Sequence, residues 1–332
     1  MHLLALVSVL VAPAAGAAPR VRALALSVTP ATRLLVVSPH PDDETLAAGG
    51  LIERVREAGG QVRVVVVTSG DAFAEGVETE DGISRPRPSD YRNYGTLRER
   101  ETTAALELLG VASRDITFLG FPDDGLCQLA SKYLSAKASP FSSPYTQRRS
   151  PPTTEQIVRG VAYRGIDVRR ELERLFVEFA PTVLVIPHPE DEHPDHCSTH
   201  IFAREAIDAV WPRRRTRPRI VQYLIHYGQW PMSAEAGAGS ELRPPTAFPA
   251  REGRWASLKL TAAESVAKKR ALLAYSSQML VIGRFVLAFG RSNELFLEGE
   301  PASLPECWCS GENVATEVPP EKRVRRPPRP RR

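Results

Sequence analysis

The sequence predicts an α/β fold, a doubly wound and mostly parallel sheet with helices on both faces. Three observations predict it: apolar β-forming runs recur along the chain, segments of helical period separate them, and glycines close the helices where a strand must follow. The runs are LLVVSP at 34–39, VRVVVVTSG at 62–70, ITFLGF at 116–121, TVLVIP at 182–187 and IVQYLIHYG at 220–228. Each is short and dominated by apolar residues, as strands buried on both faces are. The first helix reads ETLAAGGLIERVREAGG and closes on Gly59-Gly60, the second reads LRERETTAALELLG and closes on Gly110, and the third spans 167–179. Strand, helix and strand at this spacing form the unit of a parallel sheet. Two stretches break the rhythm, 130–156 (Ser, Pro, Thr, Tyr) and 229–255 (Gly, Pro, Ala), and both read as long inserted loops, either shaping a pocket or disordered insertions.

At 332 residues with 42% hydrophobic content the chain has ample material for a core. Its net charge of +4 is concentrated at the end: residues 317–332 carry seven Lys or Arg against two Glu, which leaves the body close to neutral. No field for nucleic acid is implied, and none is expected as a partner. The chain divides into a leader at 1–17, a domain at 30–300 and a basic, Pro/Arg-rich tail at 301–332 too polar to bury a core. The leader has an apolar run from Leu3 to Ala12 and an Ala15-Gly16-Ala17 cleavage pattern, so export is expected, although no Lys or Arg precedes the run. An uncleaved leader would leave the chain cytoplasmic. No other stretch is long and apolar enough for a transmembrane helix in the mature chain. Four cysteines are too few for a disulfide framework, but a bond from Cys127 or Cys197 to Cys307 or Cys309 fits an exported protein.

The chemistry gathers behind two of the strands. VVSPHPDDETLAAGG sets His40, Asp42, Asp43 and Glu44 after the first, and VLVIPHPEDEHPDHCSTH sets His188, Glu190, Asp191, Glu192, His193, Asp195, His196 and His200 after the fourth. Such groups are costly to desolvate unless paired, hydrogen-bonded or bound to a cation. Carboxyl ends of parallel strands lie side by side, so the two clusters, with five of the seven histidines, converge on a metal site. Imidazole and carboxylate without cysteine suits Zn²⁺, with Fe²⁺ or another divalent ion as an alternative occupant. Three protein ligands and an open position make a catalytic site, but composition alone does not say which three.

PHPDDE at 39–44 and HPDH at 193–196, each behind a hydrophobic strand and in that order, resemble the PIG-L/LmbE-like zinc-dependent N-acetylglucosaminyl deacetylases. LRERETTAALELLGV, FLGFPDDGL and KKRALLAYSSQM are similar to the family's intervening and C-terminal helical segments, so the likeness runs over about 32–300. It implies a Rossmann-like, LmbE-type sheet and hydrolysis of an N-acetyl group on a glucosamine-type sugar or glycoconjugate by attack of metal-bound water on the amide. It further implies that His40, Asp43 and His196 hold the metal, that Asp42 is the general base and that His193 is the second catalytic group. Arg98 would reach a substrate hydroxyl or phosphate, and Asp123 would orient the sugar.

Other readings have their own marks in the sequence. His188, Asp191 and His200 could hold a second metal, which would favour a phosphoesterase. A non-catalytic carbohydrate-binding relative could do without Asp42, which this chain keeps. Glu44 suits a helix N-terminus or a supporting position, Asp195 the support of a ligand histidine or a helix cap. Arg98 could pair with Glu99 or Glu101 on its own helix, and Cys197 reads as a small buried residue. The natural substrate and the oligomeric state are not written in the sequence.

Overall fold

The computed structural model describes residues 20–152, 160–213, 216–232, 240–249, 253–299 and Cys307. Its sheet has eight strands: β1 (Arg22–Ala23), β2 (Arg33–Ser38), β3 (Gln61–Thr68), β4 (Ile116–Phe121), β5 (Val183–Pro187), β6 (Arg219–Tyr223), β7 (Arg254–Lys259) and β8 (Asn293–Glu298). They lie in the order β1-β7-β8-β6-β5-β2-β3-β4. All pairings are parallel except those of β8, which runs antiparallel to β6 and β7. The doubly wound, mostly parallel α/β sheet read from the sequence is therefore the fold. The helices are α1 (Asp43–Glu57), α2 (Ala74–Asp81), α3 (Pro88–Leu108), α4 (Leu126–Ala130), α5 (Gly165–Phe179), α6 (Pro194–Val210), α7 (Ala262–Leu272) and α8 (Ser276–Ala288).

Strand alternation divides the core in two. Leu34 and Val36 of β2, Val64 and Val66 of β3 and Val183 and Val185 of β5 face one side, where they pack with α1, α3, α7 and α8. Leu35, Val37, Val65, Val67, Leu184 and Ile186 face the other, against α4, α5 and α6. From β2 the chain moves outward through β3 to β4, then returns to lay β5 on the far side of β2. The reversal opens a crevice between the ends of β2 and β5, where ligands bind in such sheets. The two polar clusters are the loops that border it.

Three strands escaped the sequence reading, β1, β7 and β8. In β8, NELFLE, every residue but the last is buried, yet Asn293 and Glu294 interrupt the apolar pattern. Both are satisfied by partners far along the chain: Asn293 bonds with Leu242 and Ser257, Glu294 with Lys268. β7 begins inside the stretch read as the loop 229–255. KKRALLAYSSQM, read as one helix, is the junction of α7 and α8, broken at Ala274–Tyr275.

Cys197 of α6 is bonded to Cys307, and among the described residues no cysteine is free. Residue 307 lies in the segment read as the basic tail, and this bond, one of the pairings the sequence left open, fastens it to the domain. The leader at 1–17 lies outside the described residues.

Candidate metal centre and active-site pocket

The turn after β2 is built to present its acids. The Pro39 carbonyl accepts the Thr68 amide (3.0 Å) and hydroxyl (2.9 Å), and Ser38 Oγ donates to the His40 carbonyl at 2.6 Å. Asp42 caps α1 with φ 119°, a left-handed conformation rare outside glycine. Arg98, on α3, holds it there: Nη2 donates to the Pro41 carbonyl (2.7 Å) and to Asp42 Oδ2 (3.1 Å), while Nη1 donates to the Gly70 carbonyl (2.8 Å). A Cβ on Gly70 would lie 2.0 Å from Nη1, so only glycine admits the guanidinium. Glu44 is fully buried and accepts from the Asp42 amide (3.2 Å), Ser38 Oγ (3.1 Å), Thr45 Oγ1 (3.1 Å) and the Tyr275 hydroxyl. It supports the turn, beyond what helix-end charge alone would ask of it.

Behind β5, His193 caps α6: its Nδ1 accepts the Asp195 amide at 3.2 Å. An imidazole that accepts at Nδ1 carries its proton on Nε2 when neutral. Burial and the neighbouring histidines hold His193 well below the ordinary histidine pKa, so neutral it is.

At the crevice three donor atoms meet. His40 Nδ1 and Asp43 Oδ2 are 3.1 Å apart, Asp43 Oδ2 and His196 Nε2 3.0 Å, and His196 Nε2 and His40 Nδ1 3.3 Å. Ligands about 2.0–2.2 Å from one tetrahedral ion sit about 3.3–3.6 Å from each other, so these atoms surround one cation after parting by a few tenths of an ångström. The far nitrogen of each histidine faces carboxylate: His196 Nδ1 is 3.2 Å from Asp191 Oδ2, and His40 Nε2 is 3.2 Å from Asp123 Oδ1 and 3.5 Å from Asp195 Oδ2. Carboxylates in that position orient metal-ligating imidazoles and raise their basicity. The residues fit a divalent cation.

The electrostatics of these residues agree. Burial works against charge at every one of these groups, yet Asp191 and Asp43 lift His196 to about 9. Asp123, Asp195 and Asp43 raise His40 well above the ordinary value, and the two histidines hold Asp43 well below its own. A divalent cation bound among these atoms would displace the protons on the two histidines. Asp42 is raised to about 8 by burial, against the pull of Arg98; a nearby cation would oppose that shift.

The cavity over this floor measures about 490 Å³. His40, Asp42, Asp43, Arg98, Asp123, Asp124, His193, His226 and Gln278 line it together with Leu46, Ala72, Phe73, Ile282 and Phe285. The metal, base and second catalytic positions read from the sequence are thus brought together. Arg98 and Asp123 also reach the pocket, but with prior engagements. Arg98 holds Asp42; Asp123 accepts the Ala72 amide (2.7 Å) besides facing His40. Glu101, offered as a partner for Arg98, instead accepts from Ser276 and Ser277. Asp195 accepts the Asp124 and Leu126 amides (2.8 and 3.0 Å), pinning the loop after β4 to α6.

His188 and His200 are buried away from the ligands. His188 Nδ1 accepts the Glu190 amide, and His200 Nδ1 lies 2.9 Å from the Pro187 carbonyl. Among the described residues no cluster of potential ligands contains either, so His188, Asp191 and His200, read as a second metal set, are not brought together as one. Nor do the described residues of loops 130–156 and 229–255 line the cavity; the first only touches its edge, where Tyr145 donates to Asp124 at 3.0 Å. The sequence reading missed His226. It follows β6 as His40 follows β2, and its ring lies 5.2 Å from His193 and 4.9 Å from His196. The run read at 220–228 contains His226, so it stands behind a strand only once β6 is seen to end at Tyr223.

The profile of the PIG-L family, described as GlcNAc-PI de-N-acetylase, matches residues 35–207. A 1D-myo-inositol 2-acetamido-2-deoxy-alpha-D-glucopyranoside deacetylase of Mycobacterium sp. (strain JLS) is 31% identical over 62% of this chain, and the match spans 56% of that protein's own length. A protein of the same name from Streptomyces griseus is 28% identical over 84% of this chain and 83% of its own. Among solved structures, the A40926 pseudoaglycone deacetylase shares the fold with TM-score 0.54 at 19% identity, covering 82% of this chain and 99% of its own.

Proposed function

The chain belongs to the PIG-L family, and on that premise we propose that it is a zinc-dependent deacetylase that hydrolyses the N-acetyl group of a glucosamine-type sugar or conjugate. The observation that carries the reading is the convergence of His40 Nδ1, Asp43 Oδ2 and His196 Nε2 within 3.0–3.3 Å, with Asp42 and His193 beside them. The names of the relatives support the substrate class.

In this proposal His40, Asp43 and His196 hold the ion. A bound divalent cation supplies Lewis acidity and lowers the pKa of the attacking water toward about 7. The Asp42 carboxylate, aimed by Arg98, takes a proton from water as its oxygen adds to the amide carbonyl. His193, neutral and protonated on Nε2, donates to the developing oxyanion. When the C–N bond breaks, the proton held by Asp42 passes to the departing nitrogen, leaving acetate and a free amine. Asp123 and Asp195 keep His40 in place throughout, and Asp123 presents the face on which the sugar is oriented.

The test is amine release by the zinc-loaded protein from a panel of N-acetylated sugars and conjugates. Turnover of at least one glucosamine-type member, abolished by chelation and restored by zinc, is expected. Failure across the panel by folded, metal-replete protein would overturn the reading.

Export is proposed with it. The Cys197–Cys307 bond supports an oxidising compartment, and among the described residues no helix is long and apolar enough to cross a membrane. Protein from the native host should begin near Ala18 on N-terminal sequencing; a mature form starting at Met1 would remove the claim.

A further inference from the structure

The cavity has a mixed lining. Besides the acids and histidines of the metal-binding floor, Leu46, Phe73, Ile282 and Phe285 supply an apolar wall. Ile282 and Phe285 both belong to α8, which is kinked at Ile282 (φ −118°), and both line the cavity. The wall is set before any ligand arrives. Phe285 stacks on His226 (5.6 Å between centroids, 11° between planes) and meets Phe289 edge-on at 5.3 Å, and Leu46 is buried. Gln278, the one polar residue α8 adds to the lining, already donates its amide to the Tyr94 hydroxyl at 2.8 Å. A ligand bearing hydroxyls all round would press some of them against this wall with nothing to bond, at the cost of their hydration. An apolar group there would gain instead, with little ordering of the protein to offset. The same helix leaves Leu280 and Leu287 exposed, so its solvent side continues the apolar character.

We infer that this wall is a subsite for an apolar substituent on the N-acylated amino sugar, an alkyl or aryl group that lies against Phe73, Ile282 and Phe285 while the amide faces the metal floor. The inference rests on the deacetylase reading and deepens it. The substituent has two chemical sources: an acyl chain longer than acetyl on nitrogen, or an apolar aglycone on the anomeric oxygen.

Two pairs of substrates for the zinc-loaded, full-length protein separate the sources: N-hexanoyl- against N-acetylglucosamine, and the octyl against the methyl glycoside of N-acetylglucosamine. The expected result is a preference of ten-fold or more in kcat/KM for the apolar member of one pair, carried mainly by KM, which is what burial of about two methylenes gives. Ile282→Asn and Phe285→Ser should bring that ratio close to one, whereas Phe285→Leu, which keeps carbon at the wall, should retain most of it. Melting curves of each variant exclude unfolding as the cause. Turnover of the small substrates with no preference in either pair would overturn the subsite and leave the deacetylase standing. A preference that survives both polar variants would also overturn it. No turnover of any of the four compounds would overturn the deacetylase reading, and the subsite with it.

Discussion

Asp42 and Asp43 are neighbours in the chain with opposite tasks, and backbone geometry separates them. Asp43 starts α1 and turns its carboxylate to the His40 and His196 nitrogens, whereas the left-handed φ of Asp42 turns it toward Arg98. Asp42→Asn keeps the shape but cannot take a proton, so kcat should fall on the order of 10² to 10⁴ while zinc content, measured by elemental analysis, stays near wild type. His40→Ala and His196→Ala should lose metal first, with activity partly recovered at high added zinc. Zinc loss from Asp42→Asn with retention in Asp43→Asn would reverse the assignment. Asp191 acts one step further back. Its Oδ2 takes the Ile225 and His226 amides (2.7 and 3.1 Å) besides facing His196, and Oδ1 takes the His193 amide at 3.1 Å. Asp191→Asn should weaken zinc binding about 10- to 100-fold in a chelator competition. Unchanged affinity would make it a structural residue only.

At the scale of elements, the placement of the acids depends on a helix that is not continuous. α1 breaks at Ala48, where φ is −137°, and the break frees backbone groups inside the core. Glu294, on β8, accepts the Gly50 and Leu51 amides at 2.7 and 3.0 Å, and Lys268, on α7, donates to the Leu46 carbonyl (2.8 Å) and to Glu294 (2.7 Å). Removing one partner strands the other's charge in the interior, which costs far more than the pair contributes. Glu294→Ala should therefore destabilise the protein by about 3–5 kcal/mol in urea unfolding. Glu294→Gln, which can still accept one of the two amides, should cost less. Equal losses would mean that side-chain volume, not the carboxylate, sets the cost.

For the molecule as a whole, the carboxyl edge of the sheet concentrates buried charge, and some of it is unfavourable. Asp71, just past β3, is raised to about 8 by burial and by Asp123, and its Oδ1 has no hydrogen-bond partner among the described residues. In the unfolded chain the same group titrates near about 3.9. Between roughly pH 4 and pH 8 the folded state holds a proton that the unfolded state has lost, so stability from this group falls as pH rises. Asp71→Asn abolishes the titration. Its melting temperature relative to wild type should climb from pH 4.5 to pH 8 and level off above; a difference constant with pH would show that Asp71 ionises freely in the fold.

Much was legible in the chain because the information was local. Apolar runs and helical periods, each written within a dozen residues, determined the strands β2 to β6 and their parallel arrangement. His40, Asp42, Asp43, His193 and His196 announced themselves because polar groups directly behind buried strands need a partner or an ion. Relations across the chain were not legible in this way. That Arg98 holds Asp42, that Tyr275 reaches Glu44, that Lys268 and Glu294 fill the break in α1, and that Ile282 and Phe285 line the cavity over the metal floor all depend on segments far apart in sequence. Asp191 and His226 stood in view, but their roles depend on which loop ends the topology sets side by side. The sequence by itself determined the strands and the chemistry at their ends. Only the tertiary structure decided the partners, because a buried charge or ring is satisfied by whatever the fold brings within about 3 Å of it, and proximity along the chain says nothing of that.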